Sequence, residues 1–158
     1  SFGSLGSGDT QLLKRLISVL GNTNHRILVN VGDYKEEYSE VPDNIYIDSW
    51  YPQPSVIPQC DLVIHHGGNN SFTECLYFAV PAIIMPYVWD GHDNATRVHE
   101  TKHGLKMHRS NWKDEELINN INFLLSDQEI KNNLINTSKF MQSDNGSTKA
   151  AKAILDLA

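Results

Sequence analysis

The sequence predicts an α/β fold, a parallel sheet with helices on both faces, within one domain over residues 1–158. Three observations carry this. RILVNVGD (26–33), NIYIDSW (44–50), DLVIH (61–65) and AIIMP (82–86) are short apolar runs. Continuous rather than alternating runs mark strands covered on both faces. Stretches with helical spacing lie between and after them. Finally, 158 residues at 40% hydrophobic content suffice for one domain with a real core.

Taken in order, SFGSLGSG (1–8) reads as the tail of a strand entering a glycine loop, and it has no initiator methionine. The expectation is a piece cut from a longer chain. Asp9 or Thr10 can cap a helix whose Leu12, Leu13, Leu16, Ile17 and Leu20 share one face, with Gly21 as its stop. After the four strands and among them, helices are expected near 70–79, 92–103, 113–126, 128–142 and 147–157, with LKMH (105–108) as a last strand after Gly104. SDNGS (143–147) reads as the turn before the terminal helix.

Composition narrows the function classes. A formal charge of −6 argues against a nucleic-acid partner, which needs a basic face. Any bound anion must be held by local groups. Cys60 and Cys75 lie in apolar surroundings without metal-site spacing and read as reduced core residues. No stretch approaches the ~18 apolar residues of a membrane span and no signal peptide opens the chain, so the expectation is a cytoplasmic protein without a membrane segment.

In a sheet of this kind, ligands bind beyond the carboxyl ends of the strands. The loops at 3–8, 65–71 and 86–93 lie at such ends and should converge. The richest is HHGGNNSFTE (65–74). Gly67 and Gly68 allow a tight turn and close approach of a ligand. Asn70 and Ser71 open a helix whose free amides suit phosphate oxygens, and His66 can donate to the same anion. Glu74, three residues after Ser71, has two readings: a capping-box partner, or a bidentate acceptor for a pair of hydroxyls. In SWYPQ (49–53), Trp50 can stack on a base and Gln53 can reach a ribose, although alone Trp50 also fits a core position. Asp90, His92 and Asp93 precede a helix, where acids also sit simply because the dipole favours them. One short loop of that kind does not make a metal site. His65 reads as structural, and His25, His99, His103 and His108 carry no motif.

Together, SWYPQ and HHGGNNSFTECLYFAVPAIIMPYVWDGHDNA resemble the donor-binding signature of the UDP-glycosyltransferases: W-x-P-Q, then H-x-G-x-N-S-x-x-E, then P-x-x-x-D/E-Q. Trp50, Pro52, Gln53, His66, Gly68, Asn70, Ser71, Glu74, Pro86 and Asp90 fall on it in order. The stretch PQCDLVIHHGGNNS is most similar to the bacterial macrolide-glycosyltransferase branch. The resemblance implies the C-terminal, Rossmann-like, nucleotide-sugar half of a GT-B fold, with the N-terminal acceptor domain absent from this chain.

By that resemblance Trp50 stacks on uracil and Gln53 contacts the ribose. His66 binds the diphosphate, with the amides of Asn70 and Ser71 and the side chain of Ser4. Glu74 holds the ribose hydroxyls, which favours its ligand reading over the cap, and Asp90 accepts hydrogen bonds from the sugar. The family's glutamine after that acid is Gly91 here, which opens the identity of the sugar and the activity of the parent protein. The implied reaction is inverting transfer of a hexose from a UDP-sugar co-substrate to a small lipophilic acceptor. It uses no metal and no cofactor, and its catalytic histidine lies in the N-terminal half. No D-x-D metal motif occurs. No residue of this chain is assigned as catalytic, and the chain alone is expected to transfer nothing. A separate donor-binding subunit needing a partner chain, a sugar-nucleotide epimerase of related fold, and a non-catalytic nucleotide-sugar binding module stand as alternatives.

Overall fold

Five short strands, β1 (Ile27–Asn30), β2 (Ile45–Asp48), β3 (Val63–His65), β4 (Ala82–Ile84) and β5 (Gly104–Lys106), stand in the computed structural model, which describes residues 1–157 except the side chains of Ser4 and Leu5. The helices are α1 (Gly3–Gly6), α2 (Thr10–Leu20), α3 (Gln53–Val56), α4 (Asn69–Tyr77), α5 (Asp90–Glu100), α6 (Asp114–Ser126), α7 (Gln128–Ser143) and α8 (Gly146–Leu155). Gly32–Glu37 and Ile57–Gln59 form 3₁₀ turns. The fold is the predicted α/β arrangement, and every predicted strand is present but shorter than its apolar run. The ladders stop where the backbone bends toward the loops, not where hydrophobicity ends.

All pairing is parallel, but it falls into two ladders, β1–β2 and β3–β4–β5. Ile27 pairs with Ile45, Val63 with Ala82, and Ala82 with Gly104. Beside β3, the Ser1 nitrogen donates to the Ile64 carbonyl at 2.9 Å. The expected strand tail and glycine loop at 1–8 are corrected: residues 1 and 2 join no ladder, and Gly3–Gly6 form the short helix α1. The ladders nonetheless share one core, in which Val31 and Ile45 join Ile83, Met85, Leu13, Leu117 and Leu134.

β4 shows why the runs were unbroken. Ile83 and Met85 enter that core, whereas Ala82 and Ile84 enter a second cluster with Ile57, Cys75, Ala95 and Val98. Successive side chains point to opposite faces, and both faces are covered by helices. The helix α2 buries the five apolar residues its spacing implied, Leu12, Leu13, Leu16, Ile17 and Leu20, and Asp9 caps it by accepting the Leu12 amide at 3.1 Å. Each such side chain contributes about 1.5–3 kcal/mol when fully buried. Both cysteines are free, with Cys75 buried and Cys60 half-buried. No helix among the described residues is long and apolar enough to cross a membrane.

Candidate functional site

At the carboxyl end of β3 two adjacent histidines diverge. His65 is fully buried, and its Nδ1 accepts the Gly67 amide at 3.0 Å, which leaves the ring proton on Nε2. Burial lowers its pKa from 6.5 to about 3, so the ring stays neutral and shapes the turn. This matches its structural reading. His66 is half-buried and points toward the loop at the chain start. Its ring lies where a Cβ on Gly3 would come within 2.9 Å and one on Gly68 within 2.6 Å. Two bare glycines therefore make the slot for this ring. Burial holds the His66 pKa below its ordinary value. The enclosed Nδ1 of His66 has no hydrogen-bond partner among the described residues. A neutral His66 with its proton on Nε2 can donate to a ligand oxygen.

The glycines divide their work differently from expectation. Of Gly67 and Gly68, Gly67 alone has positive φ, at 90°, and a Cβ there would meet the Gly91 oxygen and Ile84 at 2.8 Å. Gly68 has ordinary extended backbone (φ −60°, ψ 147°) and is the N-cap of α4. Helix α4 thus begins at Asn69, with Asn70 and Ser71 inside its first turn, so the amides of Asn69, Asn70 and Ser71 have no carbonyl one turn earlier in the helix. With the helix dipole, they form an anion site.

Glu74 then sits in the second turn, and the capping-box reading of that residue is corrected: α4 has no side-chain cap. Instead Glu74 Oε2 accepts from Gln53 Nε2 at 2.9 Å, and the same amide donates to Ser71 Oγ at 2.9 Å. Gln53 Oε1 accepts from Ser1 Oγ at 3.2 Å. The loop after β2 is thereby tied to α4, and Glu74 keeps Oε1 for another donor. Trp50, three residues before Gln53, is 69% exposed, so the core reading of this residue is corrected and its face is open.

The third loop closes on the first two. Helix α5 starts at Asp90, two residues earlier than predicted, with Trp89 as its N-cap. A Cβ on Gly91 would lie 2.8 Å from the His66 carbonyl, so at this position the glycine lets α5 approach the β3 loop where a glutamine would force it away. Asp90 is exposed, with no hydrogen bond or ion pair to its carboxylate among the described residues. Tyr87 fixes the loop from behind. Its hydroxyl donates to Asp9 Oδ2 at 3.0 Å, and Arg109 packs over its ring at 4.3 Å while donating to the same carboxylate. Trp89 itself has φ 51° and ψ −132°, a conformation that costs a non-glycine residue about 1–3 kcal/mol.

The three predicted loops therefore converge. Gln53, Ser71 and Glu74 are bonded together, and Gly68 and Gly91 pack on His66. Trp50, three residues before Gln53, and Asp90, next to Gly91, are exposed. The side chain of Ser4 lies outside the described residues. Sequence reasoning missed Asn94, whose buried amide nitrogen donates to the Gly67 carbonyl at 2.8 Å and to Asn69 Oδ1 at 2.9 Å. The signal was present: asparagine in the N-A-T-R-V stretch falls on the same helix face as Gly91 and Val98, where a solvent-facing residue is not expected. An open groove of about 860 Å³ lined by Lys14, Tyr38, Glu40 and Val41 contains none of these residues. The site is a ledge, marked by chemistry and not by depth. Among the described residues no group of three or more His, Cys, Asp or Glu side chains is placed to hold a metal ion.

Comparison with known proteins places the chain in a family and a fold. The family model described as Erythromycin biosynthesis protein CIII-like, C-terminal domain, matches residues 14–157. A UDP-glycosyltransferase of Dactylopius coccus is 35% identical over 101 residues, covering 63% of this chain and 20% of that protein. An NDP-glycosyltransferase of Bacillus subtilis (strain 168) is 26% identical over 156 residues, covering 98% of this chain and 40% of that protein. The solved glycotransferase of kitacinnamycin superposes with a TM-score of 0.91 at 23% identity, over 99% of this chain and 41% of that one. The chain spans 20% to 40% of the length of these curated relatives.

Proposed function

We propose, from the premise that this chain belongs to the erythromycin biosynthesis protein CIII-like C-terminal domain family, that it binds the UDP-sugar donor of an inverting hexosyltransferase. Trp50 stacks on the uracil, and Gln53 and Glu74 take the ribose. The Asn70 and Ser71 amides and His66, with Ser4, take the diphosphate, and Asp90 takes the sugar. An acceptor hydroxyl on a small lipophilic molecule, held and deprotonated by a second domain, attacks the anomeric carbon and UDP leaves with inversion. The present residues then stabilise the leaving group, because helix amides and the His66 N–H face the charge that grows on the diphosphate. On this reading no metal or cofactor takes part, and the chain by itself binds donor without transferring it.

The observation that carries the reading is the bond from Gln53 to both Ser71 and Glu74. It holds two acceptor oxygens, Ser71 Oγ and Glu74 Oε2, on one amide, and Glu74 follows the free amide of Asn70 by one helical turn, which supports the ribose reading. The two curated relatives, one a UDP- and one an NDP-glycosyltransferase, support a nucleoside diphosphate sugar as ligand.

Calorimetric titration tests it. Binding of UDP is expected in the micromolar-to-millimolar range, with weaker binding for Trp50→Ala and Glu74→Ala and none for ADP at the same concentration. No heat with millimolar UDP, or a Trp50→Ala variant indistinguishable from the parent, overturns the reading.

A further inference from the structure

Trp89 breaks a local rule and gains no packing inside the chain. Three non-glycine residues have positive φ: Ala79, Trp89 and Lys102. Ala79 and Lys102 follow the ends of α4 and α5, where left-handed backbone is ordinary. Trp89 instead precedes a helix. The Gly91 amide donates to the Val88 carbonyl at 3.2 Å, and with φ 51° and ψ −132° Trp89 takes the first central position of a type II′ turn, the place glycine normally fills. Its side chain is 79% exposed.

The turn around it is nevertheless anchored. Tyr87 is held by Asp9 and Arg109 and meets Phe2 edge-on at 6.2 Å, and His92 Nε2 lies 3.2 Å from the Tyr87 carbonyl. Two residues beyond Trp89, Gly91 packs on the His66 carbonyl. The backbone that carries the exposed indole is thus anchored on both sides, next to Asp90, in a state that the side chain disfavours. Strain of this kind persists where the surroundings over-determine it, and it clusters at ligand sites.

We propose that Trp89 is a specificity-determining residue for the sugar of the nucleotide sugar, its ring stacking on the C–H face of a pyranose. The proposal rests on the donor-site reading above. A hexose with equatorial hydroxyls presents a face of partly positive C–H hydrogens, and the indole face is negative. Gly91 has no side chain with which to contact the sugar, so Trp89 and Asp90 are the groups at that end. Asp90 accepts from hydroxyls, and Trp89 selects for an uninterrupted C–H face. With the indole on the pyranose face to which an axial 4-hydroxyl projects, glucose-type sugars, with that hydroxyl equatorial, fit this pair better than galactose-type sugars, whose axial 4-hydroxyl interrupts the stack.

The test is titration of the full chain and of W89A, W89L, W89F and W89G with UDP, UDP-glucose and UDP-galactose, with thermal melts of each. The UDP-glucose to UDP affinity ratio is expected to fall about fivefold in W89A, W89L and W89G and to hold in W89F, since an aromatic stack contributes roughly that factor. The preference for UDP-glucose over UDP-galactose should shrink in the same three variants. W89G should melt higher than the parent, because glycine adopts this backbone freely. An unchanged ratio in W89A, or equal losses of UDP and UDP-glucose, overturns the role at the sugar while leaving the donor site standing. A parent chain that binds no UDP overturns the donor site itself, and this proposal with it.

Discussion

His65 and His66 show how one residue type takes two roles one position apart. His65 turns inward, spends Nδ1 on the Gly67 amide and is held neutral by burial, whereas the His66 ring lies in a slot between Gly3 and Gly68. The linkage has a definite sign. The folded pKa of His65, about 3, lies below its ordinary 6.5, so between these values the unfolded chain binds the extra proton. Stability is full above about pH 6.5 and is lost as pH falls toward 3, at about 1.4 kcal/mol per pH unit. His66, also shifted down, adds in the same direction. Lowering pH from 7.5 to 5 should therefore cost about 2 kcal/mol from His65, or roughly 4–8 °C in Tm for a chain of this size. His65→Asn keeps an acceptor for Gly67 and should lose most of that dependence. Calorimetric melts at the two pH values decide it, and an equal drop in His65→Asn would show that other groups are responsible. The neutral, inward role of His65 was legible in its sequence neighbours. The slot around His66 was not, because Gly3 lies 63 positions from His66 and no local pattern joins them.

Among the elements, order was readable and edges were not. Every strand and every long helix follows from its apolar run or helical period, since both reflect two-faced burial that β4 displays residue by residue. The short helices α1 and α3 and the two 3₁₀ turns escaped because their hydrogen bonds are local and leave no hydrophobic period. The start of α4 was misplaced by the attraction of Ser71 as a cap, when Gly68 precedes the helix and Ser71 is occupied by Gln53. The joint between α4 and α5 depends on Asn94, which ties the Gly67 carbonyl and Asn69 together across the two helices. Asn94→Ala leaves that buried carbonyl without its side-chain partner, at a cost of about 1–3 kcal/mol. We expect Tm to fall by several degrees and UDP binding to weaken, because the free amides of α4 lose their alignment with His66. Thermal melts and titration read both effects, and a variant melting within a degree of the parent would mean that the helices are held by packing alone.

On the scale of the whole molecule, the electrostatics oppose the ligand that the site favours. The chain carries −6, and Glu74, Asp90 and Asp93 belong to the ledge or border it. No lysine or arginine belongs to the motif, and Arg109, which packs on Tyr87 behind the third loop, is already engaged by Asp9. A diphosphate is then drawn by short-range groups, the amides of α4 and a neutral His66, against a repulsive field of longer reach. Salt distinguishes the two, since screening removes interactions beyond about 10 Å at 0.1 M and leaves contact hydrogen bonds largely intact. The association constant for UDP should hold or rise as NaCl goes from about 20 to 200 mM, the opposite of a site built on basic side chains. Titration at four salt concentrations and fixed pH 7.5 tests this. A fall of more than about threefold would show that cations carry the diphosphate, and would move the anion site away from the amino end of α4.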